Sequence, residues 1–190
     1  PVVRLWCKII VACVPAAVLG LLLDDWLDTH LYNSITVALM LIIYGIAFIA
    51  VENMHKKTTV DSIGEMSYKT AVGIGLFQVL SIIPGTSRSG STILGAIILG
   101  CSREAAAEFS FFLAIPVMFG VSLLKILKYG LVMSGGEVAV LLTGMVIAYL
   151  VSAAAIKFLM NFVKKHDFKS FGYYRIILGI LVILYFAFLR

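Results

Sequence analysis

Charge is what this chain has least of. Only 13% of its 190 residues are Asp, Glu, Lys or Arg, where a soluble domain carries about a quarter. With 62% hydrophobic residues and a mean hydropathy of +1.07, the shortage excludes an ordinary soluble domain. It describes a polytopic membrane protein. Clustered carboxylates are missing too, so no metal ligands are assigned within the chain. Cys7, Cys13 and Cys101 are odd in number, and their spacing fits no metal or redox motif. They are expected to be reduced, buried, small hydrophobes. His30, His55 and His166 stand apart from one another and are expected to be solvated loop residues rather than ligands. The chain opens at Pro1 without Met or a signal peptide and enters an apolar run within a few residues, which reads as a fragment. The net charge of +5 lies mostly in loops, with no basic face interleaved with aromatics, so nucleic acid is not an expected partner.

What is present is a series of apolar runs. Residues 9–23 form the first, with Pro15 near the middle predicting a kink or break. Asp24, Asp25 and Asp28 then mark an acidic loop. The run 35–51 is uncharged, and Ser34 is a candidate cap for its start. A hydrophilic loop follows, containing Glu52, His55, Lys56, Lys57, Asp61 and Glu65, and Ser67 is placed to cap the next helix. Later come 103–124, capped by Ser102 and with Pro116 predicting a second kink, then 138–156 behind a Ser134…Glu137 capping box. Lys157, Lys164, Lys165, His166 and Lys169 read as a basic loop before a last span at about 173–189, with Arg175 near its entry. The whole chain reads as one membrane domain.

Two runs are too short to cross. Residues 70–83 and 91–100 flank Pro84-Gly85-Thr86-Ser87-Arg88-Ser89-Gly90-Ser91. At ~1.5 Å per residue neither crosses a core of ~30 Å. They predict a re-entrant hairpin over about 68–101, with its turn at 84–91. Irregular backbone at membrane depth is tolerated only against protein or a water-filled cavity. Placed this way, the hairpin returns to the side it left. Arg4, Lys8, Lys56, Lys57, Lys69, Arg103, Lys157, Lys164, Lys165, Lys169 and Arg175 then share one side. Lys125, Lys128 and Arg190 share the other. The first side is predicted to be cytoplasmic.

Arg88 is the only charge between Lys69 and Arg103. An intramembrane cation is costly and marks function by default. It lies among the hydroxyls of Thr86, Ser87, Ser89 and Ser91, which suits an anion with several oxygens, phosphate above all. Gly85 and Gly90 let the backbone approach a ligand closely. Amides at Ser89–Thr92 would form a helix N-terminus, which favours phosphate. The competing reading is a polar break that packs two helices. Phosphate hydrolysis, phosphate-lipid transport and anion conduction all fit the turn. Hydrolysis would need a nucleophile, for which Ser87 and Ser89 are candidates. Ser91 and Thr92 are candidate binding residues. Gln78, Arg103 and Glu108 are candidate supporting residues, with Glu108 placed to pair with Arg88 or Arg103.

The run Pro84–Gly90, followed by Ser91-Thr92-Ile93, resembles the signature of the bacterial undecaprenyl-diphosphate phosphatase family, the bacitracin-resistance membrane phosphatases. Residues 102–116 (Ser-Arg-Glu-Ala-Ala-Ala-Glu-Phe-Ser-Phe-Phe-Leu-Ala-Ile-Pro) and 14–20 resemble further blocks of that family in the same order. The resemblance implies an all-α fold of two inverted repeats, each with a re-entrant hairpin, of which this chain is the C-terminal part. It implies removal of the terminal phosphate of undecaprenyl diphosphate, recycling the carrier for peptidoglycan synthesis. It also implies a site open to the outer face of the bacterial plasma membrane and dependence on a divalent cation, magnesium or calcium. Arg88 would be the phosphate-binding arginine, with Thr86, Ser87 and Ser89 around it. The family's glutamate-rich stretch, with its Pro-x-Ser-Ser turn and His, is missing here, so the metal ligands are expected mainly outside this chain, which alone is expected to be inactive. The alternative function is a transporter or flippase for a phosphorylated polyprenyl lipid. The expected partners are the lipid diphosphate and the bilayer, and a homo-oligomer is left open. The Pro-Ser-Gly-His element of the type-2 phosphatidic-acid phosphatases is absent.

Overall fold

The computed structural model describes residues 2–54, 57–129 and 134–188. These residues form helices and connecting turns: α1 (Val2–His30), α2 (Ser34–Asn53), α3 (Tyr68–Val79), a 3-10 turn at Leu80–Ile82, α4 (Arg88–Ile98), α5 (Arg103–Tyr129), α6 (Gly135–Lys165) and α7 (Lys169–Phe188). Among them, α1, α2, α5, α6 and α7 each contain a stretch long and apolar enough to span a bilayer. Their outward faces are apolar, as at Val140 (75% exposed) and Tyr149 (72% exposed) on α6. In water such surface would be a liability; against lipid chains it is the expected exterior. The chain is therefore a multi-pass membrane protein.

Local chemistry sets most helix starts. Ser67 Oγ accepts from Thr70 N at 3.0 Å, Ser102 Oγ accepts from Ala105 N at 3.1 Å, and Ser134 and Glu137 close a reciprocal capping box. One cap differs from expectation. Asn33, not Ser34, caps α2: its backbone is extended and its Oδ1 accepts from Thr36 N at 2.8 Å. Asn is at least as good an N-cap as Ser, and it stands one residue earlier.

Two expected loops are helix instead. Asp24, Asp25 and Asp28 belong to the last turns of α1, which ends only at His30. Leu27 is buried in this stretch and its carbonyl accepts from Leu31 N at 2.8 Å, so packing and the hydrogen-bond ladder carry the helix onward. α1 and α5 run through Pro15 and Pro116 without a break. Lys157, Lys164 and Lys165 lie inside α6. Lysine is a good helix former, and cations in the last turn complement the helix dipole. His30 and His166 are exposed at helix ends; His55, Lys56 and Arg190 lie outside the described residues. The cysteines divide: Cys101 is buried, Cys13 half-buried and Cys7 exposed. Burial pushes the Cys101 thiol up to about 11, which keeps it neutral and inert.

α3 and α4 form an antiparallel helical hairpin. A side chain added at Gly73 would meet Leu99, and one added at Gly95 would meet Phe77, so the two arms touch in reverse order. The hairpin's ends are tied together. Thr59 N and Val60 N donate to Gly100 O at 2.8 and 3.1 Å, and Ser102 N donates back to Val60 O at 2.8 Å. The chain thus leaves for α3 and returns from α4 at one end of the bundle. Ile9 and Ala12 of α1, Ala71 and Ile74 of α3, Ile93 and Leu94 of α4, and Ala105 and Phe109 of α5 are buried around it. Beside this core, α2 and α7 pack antiparallel. Gly45 and Gly172 face each other so closely that a Cβ on Gly45 would lie 2.7 Å from Gly172 O. Small residues allow such backbone approach where no hydrophobic force drives helices together.

Candidate active site

The turn between α3 and α4 is held from three sides. Gly85 has φ +90°, and a Cβ there would lie 2.6 Å from Val37 O of α2. Only glycine combines that conformation with that contact. Thr86 is fully buried, its N accepted by Ile83 O at 3.2 Å and its hydroxyl donating to the same carbonyl. Arg175 of α7 donates from one terminal nitrogen to Gly85 O at 2.7 Å and Thr86 O at 3.0 Å.

Ser87 then starts α4 at a strained position. Among the described residues it is the one non-glycine with positive φ, +69°, a conformation rare for side-chain-bearing residues and concentrated at functional sites. Its Oγ accepts from Gly90 N at 3.3 Å and its carbonyl accepts from Ser91 N at 3.0 Å. The amides of Ser87, Arg88 and Ser89 have no partner among the described residues, as expected for a helix N-terminus.

The structure divides the predicted hydroxyls into two groups. Ser87 is exposed and Ser89 and Arg88 half-buried, with Ser87 Oγ 3.4 Å from Ser89 Oγ. Ser87 and Ser89 lie together at the start of α4, while the Arg88 side chain reaches toward Ser110 of α5. Ser91 and Thr92 are buried and bonded within the fold. Ser91 Oγ donates to Tyr44 Oη at 3.1 Å, and Thr92 Oγ1 lies 2.7 Å from Ser110 Oγ of α5. Gly90 is buried against Phe48. Arg88 donates from Nη1 to Ser110 O at 3.2 Å and makes no ion pair among the described residues. Its guanidinium keeps free donors for an anion.

The supporting candidates scatter. Arg103 binds Glu52 through Nε and a terminal nitrogen, at 3.0 and 2.5 Å. Glu108 is half-buried and pairs with neither Arg88 nor Arg103 among the described residues. Gln78 is buried on the stripe of α3 that carries Ala71, Ile74 and Gly75, and both its amide atoms lack partners. Only a water or a bound polar group would satisfy them. Arg175 and Tyr44 were not singled out from sequence. The signal for Arg175 was the one that flagged Arg88, a cation inside an apolar run.

A divalent cation does not fit these residues. The open groups at the turn are hydroxyls and a guanidinium, whereas magnesium and calcium take carboxylates. No group of three His, Cys, Asp or Glu side chains comes together among the described residues. The site can hold an anion.

The family described as "Bacitracin resistance protein BacA" matches residues 1–181. The chain belongs to this family. It is 57% identical over 182 residues to an undecaprenyl-diphosphatase of Enterococcus faecalis, covering 95% of this chain and 66% of that protein. It is also 57% identical over 188 residues to an undecaprenyl-diphosphatase of Acetivibrio thermocellus, covering 98% of this chain and 69% of the relative. One from Streptococcus thermophilus is 58% identical over 187 residues, covering 96% and 65%. The chain thus spans about two thirds of the length of the curated relatives it matches, and the matched part of this BacA-family chain includes the whole Arg88 turn.

Proposed function

We propose that the intact protein removes the terminal phosphate of undecaprenyl diphosphate, releasing inorganic phosphate and returning undecaprenyl phosphate as a carrier lipid for peptidoglycan synthesis. The observation that carries the reading is the open Ser87–Arg88–Ser89 group at the start of α4. Arg88 has no carboxylate partner among the described residues, and the adjacent amides are unpaired. The names of the relatives supply the substrate.

Hydrolysis forms a bond from the terminal phosphorus to an oxygen of water, directly or after a serine phosphoester, and breaks the bond to the bridging oxygen, water's proton passing to the released phosphates. The electron pair leaves with the lipid monophosphate. Charge spreads over the terminal phosphoryl oxygens in the transition state, so catalysis rests on positioning and electrostatic stabilisation. Arg88 faces those oxygens with planar donors, and the α4 N-terminus adds oriented amides and a partial positive charge. Ser87 and Ser89 donate further hydrogen bonds. Either hydroxyl is a candidate nucleophile, Ser87 being the more exposed. On this reading, carboxylate ligands for magnesium or calcium belong to the part of the relatives' length that these residues do not cover.

The place of the turn supports an orientation. Gly85 touches Val37, three residues into α2, while α2 ends at Asn53. At ~1.5 Å per residue the turn is about 24 Å from the Asn53 end. That end gathers the hairpin's two feet and most of the cations, which supports assigning it to the cytoplasmic side. On this reading the hairpin is re-entrant and its site opens toward the outer half of the bacterial plasma membrane.

The test is Arg88→Ala in the intact protein, with phosphate release from polyprenyl diphosphate measured in detergent micelles. Loss of such a preorganised donor should lower turnover on the order of a hundredfold or more. Near-parental turnover would sink the reading.

A further inference from the structure

We propose that Arg175 is a positioning residue that holds the phosphate-binding turn from behind. The proposal rests on the phosphatase reading above. One terminal nitrogen of Arg175 donates to two successive carbonyls of the signature turn, Gly85 O at 2.7 Å and Thr86 O at 3.0 Å. The guanidinium carbon lies 5.9 Å from the centre of the Tyr44 ring. Tyr44 Oη in turn accepts from Ser91 Oγ of α4 at 3.1 Å. Arg175 makes no ion pair among the described residues, and its buried Nε has no partner. A half-buried cation inside a membrane-spanning helix, held only by carbonyls and an aromatic face, needs another reason to be there.

Peptide geometry supplies one. In a trans peptide the C=O and the following N–H point in opposite directions. Fixing Thr86 C=O toward Arg175 aims Ser87 N–H the opposite way. That amide is one of the unpaired donors at the start of α4. A cation on the carbonyl also polarises the same peptide and strengthens its N–H as a donor. Arg175 therefore acts on the anion through the backbone, without touching it, and Arg88 acts on it directly. The hold further keeps Ser87 in its strained φ of +69°, which persists only where surroundings enforce it.

The test uses the intact protein with Arg175→Ala and Arg175→Lys. Three quantities are read: kcat and KM for polyprenyl diphosphate, inhibition by inorganic pyrophosphate, and amide hydrogen exchange by peptide. Arg175→Ala should lower kcat roughly tenfold to a hundredfold, the scale of a misplaced catalytic group, with KM rising by no more than about tenfold, since substrate and pyrophosphate share the headgroup contacts. Pyrophosphate inhibition should weaken about tenfold, and exchange should rise in the peptide covering 84–91 but not in α2 or α7. Arg175→Lys, which keeps the charge near the carbonyls, should restore part of kcat and of the protection. Parental kcat with unchanged exchange at 84–91 would overturn the proposal. So would exchange rising equally across α2, α7 and the turn, since that describes ordinary packing. If Arg175→Ala does not fold, Arg175→Lys decides alone: exchange at 84–91 and kcat both equal to the parent would overturn the clamp, because one amine cannot reproduce the guanidinium's planar hold. A parent protein that hydrolyses no polyprenyl diphosphate would defeat the phosphatase reading instead. The exchange measurement would still decide the role of Arg175.

Discussion

The bundle has two polar regions, both centred on arginine, and they are built oppositely. Where the hairpin leaves and returns, each arginine or lysine in an ion pair has a carboxylate. Arg103 binds Glu52, Lys164 binds Glu104 at 2.9 Å, and Lys169 lies 3.8 Å from Asp167. Glu52 also accepts from Phe168 N at 3.0 Å, joining α2, α5 and the start of α7. At the hairpin's tip, Arg88 and Arg175 have carbonyls, hydroxyls and an aromatic ring but no carboxylate among the described residues. In the first arrangement these three cations are matched by carboxylates, and the Arg103–Glu52 and Lys164–Glu104 pairs lock helices together. The second leaves positive charge unmatched, which is what a site for an anion requires.

The comparison breaks most sharply at Gly85. Replacing it with Ala sets a Cβ 2.6 Å from Val37 O on a backbone with φ +90°. Either the turn or α2 must shift by several tenths of an ångström or more. Turnover should fall by up to about a hundredfold through displacement of Arg88 and the α4 amides. Phosphate release and thermal unfolding of the same preparation would check this. A parental rate would mean that the tip tolerates movement and is not preorganised.

Glu52→Gln probes the lock. The Glu52 side chain is 4% exposed, while Arg103 is 47% exposed. Losing the carboxylate removes charge-assisted bonds to Arg103 and weakens the acceptor for Phe168 N. Breaking a fully buried pair costs about 3–5 kcal/mol. Arg103 can rehydrate, so about 1–3 kcal/mol of stability is expected here. Denaturation in detergent should show the loss, and turnover per folded molecule should stay within about threefold of the parent. A hundredfold loss of turnover in folded protein would place Glu52 in the catalytic machinery and erase the distinction between the two regions.

The two regions also differed in how far they could be read from sequence. Caps were legible because their partners lie three residues away, as at Ser67, Ser102 and Ser134. The Arg88 turn was legible because a single cation interrupts a long uncharged run. Arg175 was legible only as a charge near the entry of the last span, since its carbonyl partners lie 89 and 90 residues earlier. Glu52 looked like the first residue of a hydrophilic loop, yet it is buried at the end of α2, with a partner 116 residues on. Sequence likewise could not separate the hydroxyls. Ser87 and Ser89 have the same composition around them as Ser91 and Thr92. Only the helical phase starting at Arg88 turns the first pair outward and buries the second.

The smallest expected effect sharpens the comparison within the lock itself. Lys164 and Glu104 approach to 2.9 Å, closer than many paired charges, but their side chains are 50% and 48% exposed. Water screens such a pair, and holding two long side chains in one geometry costs entropy. Lys164→Ala should therefore change stability by less than about 0.5 kcal/mol, falling further with added salt. Glu52→Gln in the same assay should exceed it several-fold, because Glu52 is buried and accepts from a backbone amide as well as from Arg103. The ratio between the two variants is the informative quantity. If they destabilise equally, burial of Glu52 is not what holds the hairpin's feet together, and the lock is a diffuse patch of surface charge.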